Sequence, residues 1–106
     1  MAIVDINTKK LLQHLKSSAK KRGLSCTLTE SDLRYLSFPI TCPIMRIPLR
    51  YDIKGYHPQK PSIDRIDSAI GYEAENIWVI SFQANKCKNN LTDKELEQFA
   101  LYYLKK

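Results

Sequence analysis

The stretch from residue 61 to residue 88 decides the fold of this chain, and it reads PSIDRIDSAIGYEAENIWVISFQANKCK. Residues 63–67 intersperse two isoleucines with three charged side chains, and residues 77–82 are almost all apolar. Both patterns are typical of β-strands, and the glycine-containing segment 68–72 suits the turn between them. Residues 84–88 favour a helix or helical turn. The stretch therefore predicts a short β-hairpin followed by a helix.

Oxygen-bearing and basic side chains follow one another closely along the same stretch: Asp64, Asp67, Asn76, Asn85 and Lys88. Carboxylate and amide oxygens are the ligands that hard divalent cations prefer, and a lysine suits a phosphate group. Asp64 and Asn76 come from elements joined by a turn, so their oxygens can reach one cation. The pattern indicates a one-metal phosphodiesterase site that holds Mg²⁺ or Mn²⁺. No histidine lies between residues 61 and 88.

The composition fits a single folded domain with an affinity for polyanions. The chain has 106 residues, of which 43% are hydrophobic and 26% charged, and these values are ordinary for one soluble domain. Its net charge of +6 attracts polyanions, of which nucleic acid is the commonest. Residues 8–22 carry several lysines and an arginine and no acid. DNA is therefore the first partner to expect.

The sequence gives no sign of secretion or membrane insertion. No apolar run approaches the roughly 20 residues that cross a bilayer, and residues 1–5 lack the pattern of a signal peptide. Three cysteines stand at wide, unpatterned spacings, which favours reduced thiols over a disulfide framework. We predict a cytoplasmic protein that does not associate with membranes.

Three helices are predicted outside the hairpin unit. The first covers residues 8–22, with Thr8 as its N-cap and Gly23 as its C-terminal stop. The second is short and covers residues 30–36. The third opens with the capping box Thr-Asp-Lys-Glu at 92–95 and continues with apolar residues at helical spacing.

Taken in order, these motifs resemble the HNH, or ββα-metal, endonuclease superfamily, and most of all its small phage-type members. The motifs are Cys-Pro-x-x-x-x-Pro-Leu at 42–49, Pro-Ser-Ile-Asp-Arg-Ile-Asp at 61–67, Gly-Tyr at 71–72, Asn76, and Asn-x-x-Lys at 85–88. The resemblance implies an α+β fold with a small ββα-metal core flanked by helices. It also implies a metal-dependent DNA endonuclease that nicks its substrate.

Carried over position by position, the resemblance implies roles for the central residues. Asp64 becomes the first metal ligand and Asn76 the second. Asn85 supports the helix or the phosphate, and Arg65 stands where active members hold the histidine base. Together with the charge distribution, it assigns nucleic-acid contact to six basic residues: Arg65, Lys86, Lys88, Lys20, Lys21 and Arg22.

Arg65 creates the main question about activity. A guanidinium stays protonated at neutral pH, so it can hold a phosphate but cannot act as a general base. Three substitutes for the base are open: Asp67, His57, or a metal-bound hydroxide without a protein base. The alternative function is a catalytically degenerate HNH fold that binds nucleic acid or a host protein. The sequence leaves the oligomeric state open.

Structural zinc is not expected, although many HNH relatives carry two Cys-x-x-Cys pairs. Cys42 is followed by Met45 where a second cysteine would stand, and Cys87 has no cysteine near it. The stability that zinc would supply must then come from the terminal helices. We expect one domain in three parts: a helical extension at 1–38, the ββα-metal core at 39–90 and a C-terminal helix at 91–106.

Overall fold

The computed structural model describes residues 7–89 and 91–106. Predictions that concern residues 1–6 and Asn90 lie outside this part. The architecture is α+β, with an antiparallel two-stranded hairpin, a helix directly after it and further helices on either side, as predicted. In chain order the elements are α1 (Thr8–Arg22), α2 (Glu30–Arg34), β1 (Pro61–Arg65), a 3-10 turn (Ala74–Asn76), β2 (Ile77–Ser81), α3 (Phe82–Lys88) and α4 (Asp93–Lys105).

The hairpin lies slightly earlier in the chain than predicted. Strand β1 pairs with β2 so that Pro61 faces Ser81 and Arg65 faces Ile77. The predicted strand at 63–67 extends too far, because the backbone N–H of Asp67 donates to the Asn76 side chain, at 2.8 Å, instead of to a strand. The chain therefore leaves the sheet before Asp67.

Helix α3 begins immediately after β2 and covers one face of the hairpin. The Ser81 hydroxyl caps it by accepting a hydrogen bond from the Ala84 N–H at 3.1 Å. Side-chain contacts then join the helix to β1: Asn85 Nδ2 donates to Ser62 Oγ at 2.7 Å, and Lys88 Nζ donates to Asp64 at 2.7 Å and to the Arg65 carbonyl at 2.6 Å. These contacts fix the strand–strand–helix unit that carries the candidate site.

Helix α1 packs its apolar face against α2 and the hairpin. Its N-cap is Asn7 and not the predicted Thr8, because Asn7 Oδ1 accepts from the Lys10 N–H at 3.0 Å. Gly23 ends the helix in the left-handed conformation, with φ 67°, as predicted from its place in the sequence. The cluster that α1 completes contains Leu15, Ala19, Leu28, Leu33, Tyr72 and Ile77.

A second cluster joins the turn at residues 41–48 to the other side of the hairpin. Cys42 is fully buried in it, and its Sγ accepts hydrogen bonds from the backbone N–H groups of Ser81 at 3.3 Å and Met45 at 3.4 Å. Burial raises the pKa of the Cys42 thiol, but the hydrogen bonds together outweigh burial and lower that pKa. The buried members are Cys42, Leu49, Val79, Ile80 and Ala84.

Helix α4 forms where the capping box predicts it. Thr92 Oγ1 accepts from the Glu95 N–H at 3.1 Å, and Glu95 Oε1 accepts from the Thr92 N–H at 2.9 Å. No residue of α4 is buried. The expectation that this helix braces the core is therefore wrong, and α1 alone of the terminal helices has that role. No helix in the described ranges is long and apolar enough to cross a membrane.

Candidate functional site

Residues from β1, α3 and the C-terminal end of α1 meet at a small cleft of about 30 Å³. Asp64, Arg65 and Asn85, three of the residues predicted to be catalytic, line this cleft. The remaining lining residues are Arg22, Ile63, Ser68, Tyr72 and Asn89. The fold therefore brings residues that are far apart in the sequence to one cleft.

Asp64 accepts hydrogen bonds from the protein through one of its two carboxylate oxygens. Its Oδ2 accepts hydrogen bonds from Lys88 Nζ at 2.7 Å and from Trp78 Nε1 at 2.9 Å. Register explains the second contact, because Trp78 is the cross-strand partner of Asp64. In residues 7–89 and 91–106 no protein group donates to Oδ1 of Asp64. That oxygen is free to bind a cation.

Lys88 is a buried cation whose protons are all taken by the protein. Its Nζ donates to Asp64 Oδ2 at 2.7 Å, to the Arg65 carbonyl at 2.6 Å and to the Ile66 carbonyl at 3.3 Å. An ammonium has three protons, so these acceptors saturate it. Lys88 was predicted to contact DNA phosphate or to orient the loop, and this geometry supports the second kind of role, because Lys88 fixes the Asp64 carboxylate and the end of β1.

Arg65 holds the loop that follows β1 and also faces the cleft. Its Nη1 donates to the carbonyls of Ser68 and Ile70, and its guanidinium carbon lies 5.5 Å from the centre of the Tyr72 ring. Within the described residues, no buried side-chain nitrogen or oxygen lacks a partner. The N–H groups of Arg65 without a protein acceptor are therefore accessible to solvent. The Arg65 side chain lines the cleft.

Asn76 is occupied with the same loop. Its Nδ2 donates to the carbonyls of Asp67 at 3.1 Å, Ile70 at 3.3 Å and Gly71 at 2.9 Å. Its Oδ1 accepts from the Asp67 N–H at 2.8 Å. The side chain is buried and does not line the cleft. This geometry explains why an asparagine stands here, and it gives no support to the predicted role of Asn76 as a metal ligand.

Asn85 is the amide that does lie beside Asp64. Its Nδ2 donates to Ser62 Oγ at 2.7 Å, and this hydrogen bond orients the side chain without using its Oδ1. Because Asn85 and Asp64 line the same cleft, their Oδ1 atoms are the candidate pair of hard ligands. The sequence held a signal for this: Asn85 lies one helical turn before Lys88, so both project from one face of α3.

Neither protein group suggested as a substitute base lies in the cleft. Asp67 Oδ1 accepts from the Ala69 N–H at 2.9 Å and so closes the loop on itself. His57 Nδ1 accepts from the Gln59 N–H at 3.1 Å. His57 belongs to a separate groove of about 940 Å³ that is also lined by Tyr56 and Lys86.

The basic residues predicted to contact nucleic acid divide into Lys88, which is buried against Asp64, and two further groups. Arg22 and Arg65 both line the cleft. The sequence did not predict that they lie close together, because Arg22 and Arg65 are more than forty positions apart in the chain. Lys20, Lys21 and Lys86 are exposed outside it. Two arginines thus line the same cleft as Asp64 and Asn85.

The donor chemistry of the cleft fits Mg²⁺ or Mn²⁺ better than zinc. The described part of the chain contains no cluster of three or more His, Cys, Asp or Glu residues that could hold a metal. Magnesium does not require such a cluster, since it is commonly bound through one or two protein oxygens, with water and substrate phosphate completing its coordination. Asp64 and Asn85 provide that number of oxygens.

Comparison with known proteins supports the same fold. Among solved structures, the chain is similar to the rare-cutting HNH restriction endonuclease PacI, with a TM-score of 0.63 and 26% sequence identity, over 88% of this chain and 73% of that one. No family model matches the sequence, and no curated protein matches it. The chain has an HNH-like fold, as its motifs indicated.

Proposed function

We propose that this protein is a divalent-metal-dependent DNA endonuclease of HNH type that nicks its substrate. One observation carries the proposal: Asp64, Asn85, Arg22 and Arg65 line a single small cleft. This is the combination that phosphodiester hydrolysis needs, a cation site beside groups that bind phosphate. The similar fold of PacI, a restriction endonuclease, supports DNA as the substrate.

The metal would be held by Asp64 Oδ1 and Asn85 Oδ1. A bound Mg²⁺ or Mn²⁺ supplies charge neutralisation at the scissile phosphate and lowers the pKa of bound water. Lys88 and Trp78 fix Asp64 through its other oxygen, so the carboxylate does not have to be ordered when the cation arrives. Ser62 does the same for Asn85. The protein contributes a preorganised pair of ligands.

Arg65 and Arg22 would bind the phosphate. A guanidinium offers planar, bidentate hydrogen bonds to phosphate oxygens and keeps its charge at neutral pH. Arg65 is held in place by its contacts to Ser68, Ile70 and the Tyr72 ring, so it presents a fixed charge. Its contribution is to stabilise negative charge as the phosphate is attacked, and not to remove a proton from water.

The positions of the candidate bases lead to a further expectation. Asp67 and His57 lie outside the cleft, so neither is suited to take the proton from the attacking water. We expect Asp67→Asn and His57→Gln to retain nicking within about tenfold of the unmodified protein, because a lost general base costs about 10² or more. Loss beyond that range in either variant, with the fold intact, would identify it as the base.

The decisive experiment is nicking of supercoiled plasmid with Mg²⁺, Mn²⁺ or a chelator. We expect cation-dependent nicking that Asp64→Asn and Asn85→Ala each reduce by about 10² or more. Asp52→Asn is the matched control for Asp64, because Asp52 is an exposed carboxylate paired with Arg50, and it should nick normally. Thermal melts establish that all variants fold. Absence of nicking under every cation would overturn the proposal.

A second function is favoured by one specific contact. The Lys88 ammonium already neutralises Asp64 at 2.7 Å, which is the arrangement expected of an HNH fold that has given up its metal and binds DNA only. The same samples separate the two functions. DNA binding in a gel-shift assay that is unaffected by chelator and by Asp64→Asn, without nicking, would establish the binding module.

A further inference from the structure

Helix α4 is fully formed but presents its apolar side chains to solvent. None of its residues is buried, and large apolar groups are exposed along it: Phe99 to 56%, Tyr102 to 63%, Tyr103 to 61% and Leu104 to 81%. An isolated apolar side chain on a surface is ordinary, but a contiguous patch of this kind marks an interaction surface.

Most of the apolar side chains of α4 form a continuous stripe. Leu96, Phe99, Ala100 and Tyr103 recur at the spacing of one helical face, and Leu104 lies at its border. We call this face the α4 stripe. The opposite side of the helix carries Lys94, Gln98 and Lys105, and Leu101 and Tyr102 also lie outside the stripe. A stripe this wide is the pattern of a helix that packs against another helix.

The length of α4 also indicates a partner. Helices shorter than about 12 to 15 residues are marginal in water unless tertiary packing stabilises them, and α4 has 13 residues. The capping box at Thr92 contributes only about 1 kcal/mol. Because no α4 residue is buried in the rest of the protein, the missing stabilisation must come from another surface.

The charges on α4 identify that surface. Its start is net acidic, because Asp93, Glu95 and Glu97 outnumber Lys94, and its end is basic, with Lys105 and Lys106. Two copies aligned antiparallel bring each acidic end beside a basic end, whereas parallel copies bring like charges together. An antiparallel pair is also related by a two-fold axis, the commonest symmetry of oligomers.

We propose that a second copy of this chain covers the α4 stripe, in an antiparallel two-fold dimer. At 1.5 Å per residue, α4 is about 20 Å long, and a contact of that length buries less than the roughly 800 Å² per partner of a standard interface. The dimer therefore dissociates on dilution through the micromolar range. The proposal is independent of nuclease activity and is tested without it.

Sedimentation velocity on the full chain, from about 1 to about 200 µM, tests self-association by mass action. The matched variants are Phe99→Glu and Gln98→Glu, which place the same new charge at adjacent exposed positions, Phe99 on the α4 stripe and Gln98 outside it. The unmodified protein and Gln98→Glu should shift from monomer to dimer, whereas Phe99→Glu stays monomeric. A monomer at every concentration, or equal dimerisation of both variants, overturns the proposal.

Disulfide trapping tests the antiparallel orientation in a Cys87→Ser background, since Cys87 is exposed. The centre of the charge pattern lies between residues 99 and 100, so residue 96 of one copy faces residue 103 of the other. We expect Leu96→Cys and Tyr103→Cys to cross-link when mixed, and neither to cross-link alone. Cross-linking of Leu96→Cys with itself would establish a parallel pair and overturn this orientation.

Discussion

The ammonium of Lys88 lies 2.7 Å from Asp64 Oδ2, and both side chains are buried. The same ammonium holds the carbonyls of Arg65 and Ile66, so one cation joins the end of α3 to the end of β1. Removing one member of a buried ion pair leaves the other uncompensated, which costs about 3 to 5 kcal/mol. Lys88 is therefore tied to the fold as well as to the candidate site.

Lys88→Met should lower the free energy of unfolding by about 3 kcal/mol or more. Lys86→Met is its matched control, because Lys86 is an exposed lysine on the same helix, and its effect should stay within about 0.5 kcal/mol. Urea denaturation followed by circular dichroism measures both. Equal effects of the two variants would show that the Lys88–Asp64 contact contributes little.

The double variant Asp64→Asn with Lys88→Met tests the pairing itself. Two residues in direct contact show non-additive effects, so the double variant should lose less stability than the sum of the two single variants. The difference, taken from urea denaturation of all four proteins, should be about 1 kcal/mol or more. Additive losses would mean that the two side chains act independently.

Asn76 is expected to stabilise the loop without binding the metal. Asn76→Ala removes the four hydrogen bonds that hold residues 67–71, and the buried Gly71 carbonyl and part-buried backbone groups of Asp67 and Ile70 lose this partner. We expect a loss of about 2 to 4 kcal/mol in the free energy of unfolding. Calorimetric titration with Mn²⁺ separates this from metal binding: Asn76→Ala should keep its affinity, whereas Asp64→Asn should lose it. A matching loss in a folded Asn76→Ala protein would make Asn76 a ligand.

The fold could be predicted from sequence because its signals are local. The apolar run that begins at Ile77, the capping box at Thr92 and the glycine stop at Gly23 each act within a few residues. The packing of α4 could not be predicted in the same way. Its periodicity shows that one face is apolar, but the same pattern arises whether the rest of the chain or another molecule covers that face.

The candidate site was only partly predictable, for a similar reason. Asp64 and Arg65 follow from the strand, but the choice between Asn76 and Asn85 as the neighbour of Asp64 depends on where the loop carbonyls lie. Those carbonyls take up the Asn76 amide. Arg22 joins the cleft only through the packing of α1. Contacts between distant segments decide these positions, and a single sequence does not encode them in its spacing.

A side chain at residue 71 is expected to destabilise the fold, because the backbone at Gly71 passes close to Ser25. The Tyr72 N–H donates to the Ser25 carbonyl at 2.9 Å, and a Cβ on Gly71 would overlap that carbonyl oxygen and the Ser25 hydroxyl. Gly71→Ala should therefore cost about 1 to 3 kcal/mol through displaced backbone. Gly23→Ala, where the space is open but φ is 67°, should cost about 1 kcal/mol. Thermal melts compare the two.

The start of α4 should respond to acid through Glu95. Backbone and side-chain hydrogen bonds with Thr92 lower the pKa of the Glu95 carboxyl from its ordinary value of 4.5. A pKa lowered in the folded state means that the stabilisation is complete above 4.5 and is lost as the pH falls through the lower folded value.

We therefore expect the Thr92 amide proton, followed by NMR, to lose its hydrogen-bonded chemical shift as the pH falls below about 4.5. Glu95→Gln should abolish this transition, because an amide keeps its acceptor oxygen and does not titrate. Glu97→Gln, which changes an exposed carboxylate on the same helix, should leave the transition in place. If the Thr92 amide instead followed Glu97, the carboxylate that holds the cap in solution would be a different one from the carboxylate in the structure.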